Sequence, residues 1–141
     1  MRVAAAICYV LLVCLPTVAQ DARRDDDVYS IRLVRESVKN PALARGVSFT
    51  EKQLNRLGDR VSVALLKIYD ADELKEPANI RRYLPVVRAA FAAPRIVPFA
   101  EDRKPKVTMF LLTHLEAGVG DTQLKAQISD TIRYVKEQTS N

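Results

Sequence analysis

Between Thr50 and Ile68 the apolar residues Leu54, Leu57, Val61, Ala64, Leu65 and Ile68 return every three or four positions, and Lys52, Asn55, Arg56, Asp59 and Lys67 fall between them. A period of ~3.6 residues puts the first set along one stripe of an α-helix and the second on the opposite side, so the stretch predicts a helix of about five turns with one packed face and one wet face. Its start is also written locally. Thr50 is placed to accept a hydrogen bond from the Gln53 amide while the Gln53 side chain reaches back, and Phe49 is placed to pack on Leu54: a capping box with a hydrophobic staple. One amphipathic helix cannot bury its stripe alone, so the rest of the chain must supply its packing partners.

The other segments have the same character. Val28, Ile31, Val34 and Val38 predict a short first helix with Asp27 as its cap, ended at Asn40-Pro41 because proline disfavours helical geometry in the residue before it. Ala42 to Ser48 reads as a connector that turns at Gly46. Asp70 to Glu76 reads as a turn or a single helical turn, Pro77 suits the first position of a helix, and Ile80, Leu84, Val87 and Phe91 form that helix's stripe. Pro85 lies inside it and calls for a kink or a division in two. Ala92-Ala93-Pro94 closes the segment, and Ile96-Val97-Pro98-Phe99 is expected to plug the side of the bundle. Asp102 reads as the next cap with Pro105 in the first turn, and the run Val107 to Leu112 is apolar nearly all round, which predicts the central and most buried helix. Gly118 and Gly120 read as its stop. Asp121 caps a last helix with Leu124, Ile128, Ile132 and Val135 inside. No segment alternates as a strand does. The fold class is therefore all-α, a compact bundle of four to five amphipathic helices for which stacked helical hairpins are one arrangement. Residues 30–36 resemble residues 131–137, but no fixed period links the two as a solenoid requires.

Ahead of the helices, Arg2, the apolar run Val3 to Leu15 and Pro16-Thr17-Val18-Ala19 have the three parts of a secretory signal peptide over 1–19, cut after Ala19. The run is shorter than the ~20 residues that cross a bilayer. Val13 precedes Cys14 where lipid attachment wants a very small side chain. Residues 20–27 mix both signs of charge around one apolar residue and read as a flexible charged tail. Residues 28–138 read as a single helical domain and 139–141 as a polar tail. Both cysteines, Cys8 and Cys14, fall in the leader. The exported domain, periplasmic or extracellular, is thus expected to rely on packing without disulfides, and its mature part to contain no transmembrane segment.

No catalytic constellation emerges. His114 is the one histidine, and with no cysteine outside the leader there is no zinc ligand set, so it is expected as a buried or half-buried structural residue. Asp25, Asp27 and Glu36 match three positions of a calcium loop, but Tyr29 and Ser30 stand where an oxygen ligand and a glycine are required, and the three consecutive aspartates read as solvated. Asp59, Glu116 and Asp130 are not brought together by any spacing. Gly118-Val119-Gly120 follows a helix instead of a strand, which is not a phosphate loop. No catalytic residue, metal or cofactor is assigned. The net charge of +5, lowered by one with the leader, is too mild for a nucleic-acid surface. The run Arg103-Lys104-Pro105-Lys106 puts cations where the helix dipole opposes them; with Arg81, Arg82 and Arg88 it makes the candidate anion-binding set. The expectation is a non-enzymatic exported domain that acts by contact with a protein partner. The alternative is a basic module that binds anionic lipid head groups or acidic polymers.

Overall fold

The computed structural model describes residues 24–39, 49–57, 60–92 and 105–140. Six helical segments account for most of them: α1 (24–39), α2 (Glu51–Leu57), α3 (Arg60–Asp70), α4 (Pro77–Ala90), α5 (Lys106–Gly118) and α6 (Thr122–Thr139), with no strand among the described residues. The protein is an all-α bundle. Residues 1–19, expected as a signal peptide, residues 20–23, and the segments 40–48 and 96–99 expected as connectors lie outside the described residues.

α2 and α3 carry the amphipathic stretch expected as one helix, with residues 58 and 59 between them outside the described residues. The Thr50 amide donates to Gln53 Oε1 at 2.9 Å and the Gln53 amide to Thr50 Oγ1 at 3.3 Å, which is the capping box. All six stripe residues from Leu54 to Ile68 are buried. After the turn at 71–76, in which Asp72 takes a left-handed backbone with φ 60°, α4 begins on Pro77. Ile80, Leu84, Val87 and Phe91 are buried as the stripe predicts, with Tyr83, Val86, Ala89 and Ala90 added. Pro85 does not divide α4, which runs through it. The helix ends sooner than the expected Ala92-Ala93-Pro94, where the Phe91 amide folds back on the Val87 and Arg88 carbonyls.

Three expectations are corrected. Residues 24–27 are helical, and Asp26 and Asp27 are held by arginines instead of standing in a solvated tail: Asp26 lies 3.4 Å from both Arg56 Nε and Arg60 Nη2, and Asp27 lies 3.8 Å from Arg60 Nε. Val28 is exposed, whereas Val34 is buried and Ile31 and Val38 pack against the core as the stripe predicts; Ser30 and Ser37 join this inner face, their hydroxyls donating at 2.7 Å to the Asp26 and Leu33 carbonyls. That local bonding is what lets a hydroxyl sit in a core. Third, α5 is not the central helix. It buries Thr108, Leu111 and Leu112 and leaves Val107 and Phe110 in solvent, whereas α4 is buried over half its length. Its cap position is Pro105, not Asp102, which lies outside the described residues.

Side-chain pairs fix how the helices lie. Ser62 meets Thr108 and Tyr69 meets His114, so α3 and α5 run side by side in the same sense. Arg81 meets Asp121 and Arg88 meets Tyr134, so α4 and α6 do likewise. α5 and α6 join through Val119-Gly120-Asp121 and pack on each other as a hairpin. α3 thus packs on α5, α5 on α6 and α6 on α4 around one core, which Val34 of α1 also enters. A void of about 20 Å³ remains there among Leu65, Leu84, Leu111 and other apolar side chains. It is too apolar to hold an ordered water.

Candidate functional site

The cations singled out by sequence do not gather into one patch. Arg81 is bonded to Asp121, whose carboxyl is held below its ordinary range first by the Leu124 amide and then by Arg81. Arg88 lies 4.4 Å over the Tyr134 ring. Both therefore serve to tie α4 to α6. Arg82 stands on another side of α4, beside α1, and Lys106 is exposed at the start of α5. Arg103 and Lys104 lie outside the described residues.

His114 is exposed, not buried. Its ring stacks on Phe110 with centroids 6.4 Å apart and planes at 12°, and meets the Tyr69 ring edge-on at 5.8 Å and 83°. Val107, Phe110 and His114 lie three and four positions apart, so they share one face of α5; Val63 and Leu66 share a face of α3 in the same way. Phe110 is 71% exposed, Val107 42%, Leu66 38% and Val63 37%. Tyr69 joins the two helices through His114, so the Tyr69, His114 and Phe110 rings, with Val107 on the same face of α5, make an apolar ridge at the α3/α5 seam. Single exposed apolar residues are ordinary on a protein surface; several in one place are not. The signal for it was present in the sequence, since a helix apolar nearly all round that is not central must show an apolar face to solvent.

A second polar constellation joins α1, the 71–76 turn and α4. Arg35 Nη2 donates to Glu73 Oε1, and the Tyr83 hydroxyl donates to Glu73 Oε2 at 2.9 Å. Burial first, and then the bond to Glu73, push the Tyr83 phenol well above its ordinary value, so it stays a protonated donor. Arg35 Nε is closed off from solvent and has no acceptor among the described residues. Nothing in the sequence pointed to this group, because its members stand 38 and 10 positions apart with no motif around them.

Among the described residues no three His, Cys, Asp or Glu side chains come close enough to hold a metal ion. Of the scattered carboxylates, Glu116 accepts from Ser129 at 2.8 Å and Asp130 from Arg133 at 2.7 Å, and Asp59 lies outside the described residues. No described helix is long and apolar enough to cross a membrane. The fold and these surfaces define an all-α protein with an exposed apolar ridge. Compared with protein-family models, curated proteins and solved structures, the chain matches none.

Proposed function

We propose that this chain is an exported, non-enzymatic helical domain that works by protein–protein contact, and that the α3/α5 ridge is its recognition surface. The observation that carries the reading is Phe110, an aromatic side chain that is 71% exposed and braced by a stacked His114. A rigid aromatic projecting from a packed scaffold loses little conformational entropy on binding, and such residues are typical anchors in the desolvated centre of an interface. The partner then offers an apolar depression that takes the Phe110 ring, with Val107 beside it on the same face of α5. Binding through anionic lipid or acidic polymer at the six cations named from sequence is the weaker reading, since Arg81 and Arg88 already have partners within the fold.

The test is retention of a partner from the native extracytoplasmic fraction by wild type and by Phe110→Asp, washed at low and high salt. An apolar contact survives salt that screens exposed charges, whose reach is ~8 Å at physiological ionic strength. A defined protein held by wild type through the high-salt wash and released by Phe110→Asp, with unchanged melting, supports the ridge. Equal retention by the two proteins removes it.

A further inference from the structure

We infer that the cleft between α1 and α4 binds a phosphate monoester group, a site independent of the ridge. The cleft is open, holds about 500 Å³ and is lined by Arg35 and Lys39 from α1, Glu73 from the turn, and Asn79, Arg82 and Tyr83 from α4. That volume lies in the range of small-molecule sites. Its charges are unequal. Glu73 is the one carboxylate among the lining residues, and each of its oxygens is engaged, Oε1 by Arg35 and Oε2 by Tyr83. Lys39 and Arg82 form no ion pair among the described residues, and both are exposed. Two cations from two different helices therefore face one concavity with the Asn79 carboxamide beside them.

The lining fits a dianion with several acceptor oxygens better than a single carboxylate. A phosphate monoester carries close to two negative charges near neutral pH and three strong acceptors, enough for Lys39, Arg82 and Asn79 together. The guanidinium of Arg82 is suited to two parallel bonds to phosphate oxygens, and Lys39 supplies a compact positive charge. A carboxylate leaves one of the two cations uncompensated. The Tyr83 hydroxyl and Arg35 hold Glu73 back from the incoming anion. The phosphate is either that of a soluble metabolite or that of a lipid head group, and the chemistry of recognition is common to both.

The experiment is a titration of the isotope-labelled full-length protein with glycerol 3-phosphate and with acetate, followed by NMR, beside flotation with phosphatidylcholine vesicles that do or do not contain phosphatidic acid. The expected result is saturable movement of the Lys39, Asn79 and Arg82 signals with glycerol 3-phosphate, with acetate weaker by about tenfold. Lys39→Gln and Arg82→Gln are exposed changes that keep the fold, and each weakens binding about tenfold, while Arg81→Gln leaves it unchanged. Co-flotation with phosphatidic acid vesicles that glycerol 3-phosphate competes away assigns the lipid source; saturation without co-flotation assigns the soluble one. Absence of saturable shifts in the cleft together with absence of co-flotation overturns the inference. So does binding that survives Lys39→Gln and Arg82→Gln, or that is equal for acetate.

Discussion

Ser62 and Thr108 show at the smallest scale how this bundle tolerates polarity in its core. Both are buried, and their hydroxyls meet at 2.7 Å between α3 and α5. Ser62→Ala leaves the Thr108 hydroxyl buried without that partner, and a loss of ~1–3 kcal/mol is expected; Ser62→Ala with Thr108→Val removes both polar groups and is expected to cost less than the sum of the two single changes. Chemical denaturation of the four proteins of the cycle checks this. Leu57 is fully buried, so Leu57→Asp places an uncompensated charge in the core and should cost ~3 kcal/mol or more, largely unfolding the domain. Melting like wild type would show that the helix faces are misassigned. Two titrations bound the stable pH range. The Asp121 carboxyl is depressed in the folded state, so its contribution is present above its unfolded pKa and fades as pH falls through the acid range; the Asp121→Asn melting curve should show less of this acid loss. The Tyr83 phenol is raised, so its contribution is present below an unfolded value near 10 and is lost as pH climbs beyond it. At this scale the apolar residues were legible, since periodicity alone marked every buried stripe residue from Leu54 to Ile68. The polar pairs were not. Arg35 and Glu73 meet through the fold, 38 positions apart, and no local rule brings them together.

At the level of elements, three local starts follow the sequence, Thr50 with Gln53, Pro77 at the head of α4, and Asp121, whose carboxylate accepts from the Leu124 amide at 2.9 Å, whereas Asp27 lies inside α1 instead of capping it and Pro105 stands where Asp102 was expected. α5 was misread for a physical reason. An apolar surface all round a helix signals burial only when every side has a neighbour, and α5 has α3 and α6 but shows its Val107–Phe110 side to solvent. The stop of α5 at Gly118 was legible: Gly118 is its last residue and an extended Val119 closes it, but no left-handed backbone is required there, and a side-chain carbon on Gly118 would touch nothing within 4 Å. Gly118→Ala is therefore expected to stabilise the protein by about 0.4–1 kcal/mol, seen as a higher melting temperature. The likeness between residues 30–36 and 131–137 has an element-level explanation as well. Ser30 and Val34 are buried, as are Thr131 and Val135, and both hydroxyls bond back to carbonyls four residues earlier. Two helices that each lay one stripe on the same core converge on the same pattern without a repeat.

For the whole molecule, the helices bury one core and leave an apolar ridge at the α3/α5 seam, and the proposed function rests on that ridge. The sequence showed that an all-α bundle was required, because every amphipathic segment had a helical period. It did not show which helix stood at the edge, because that depends on which helices pack on each other. If the ridge exists for binding, its exposed residues add little to stability, so Phe110→Ser should melt within ~0.5 kcal/mol of wild type, as surface changes generally do. The most direct measurement is site-specific photo-crosslinking in the native setting, with a photoactivatable phenylalanine analogue at Phe110 or, as the control, at exposed Lys125 on α6. One discrete crosslinked protein is expected from position 110 and none from position 125. The same product from both positions, or a product from position 125 alone, would contradict it.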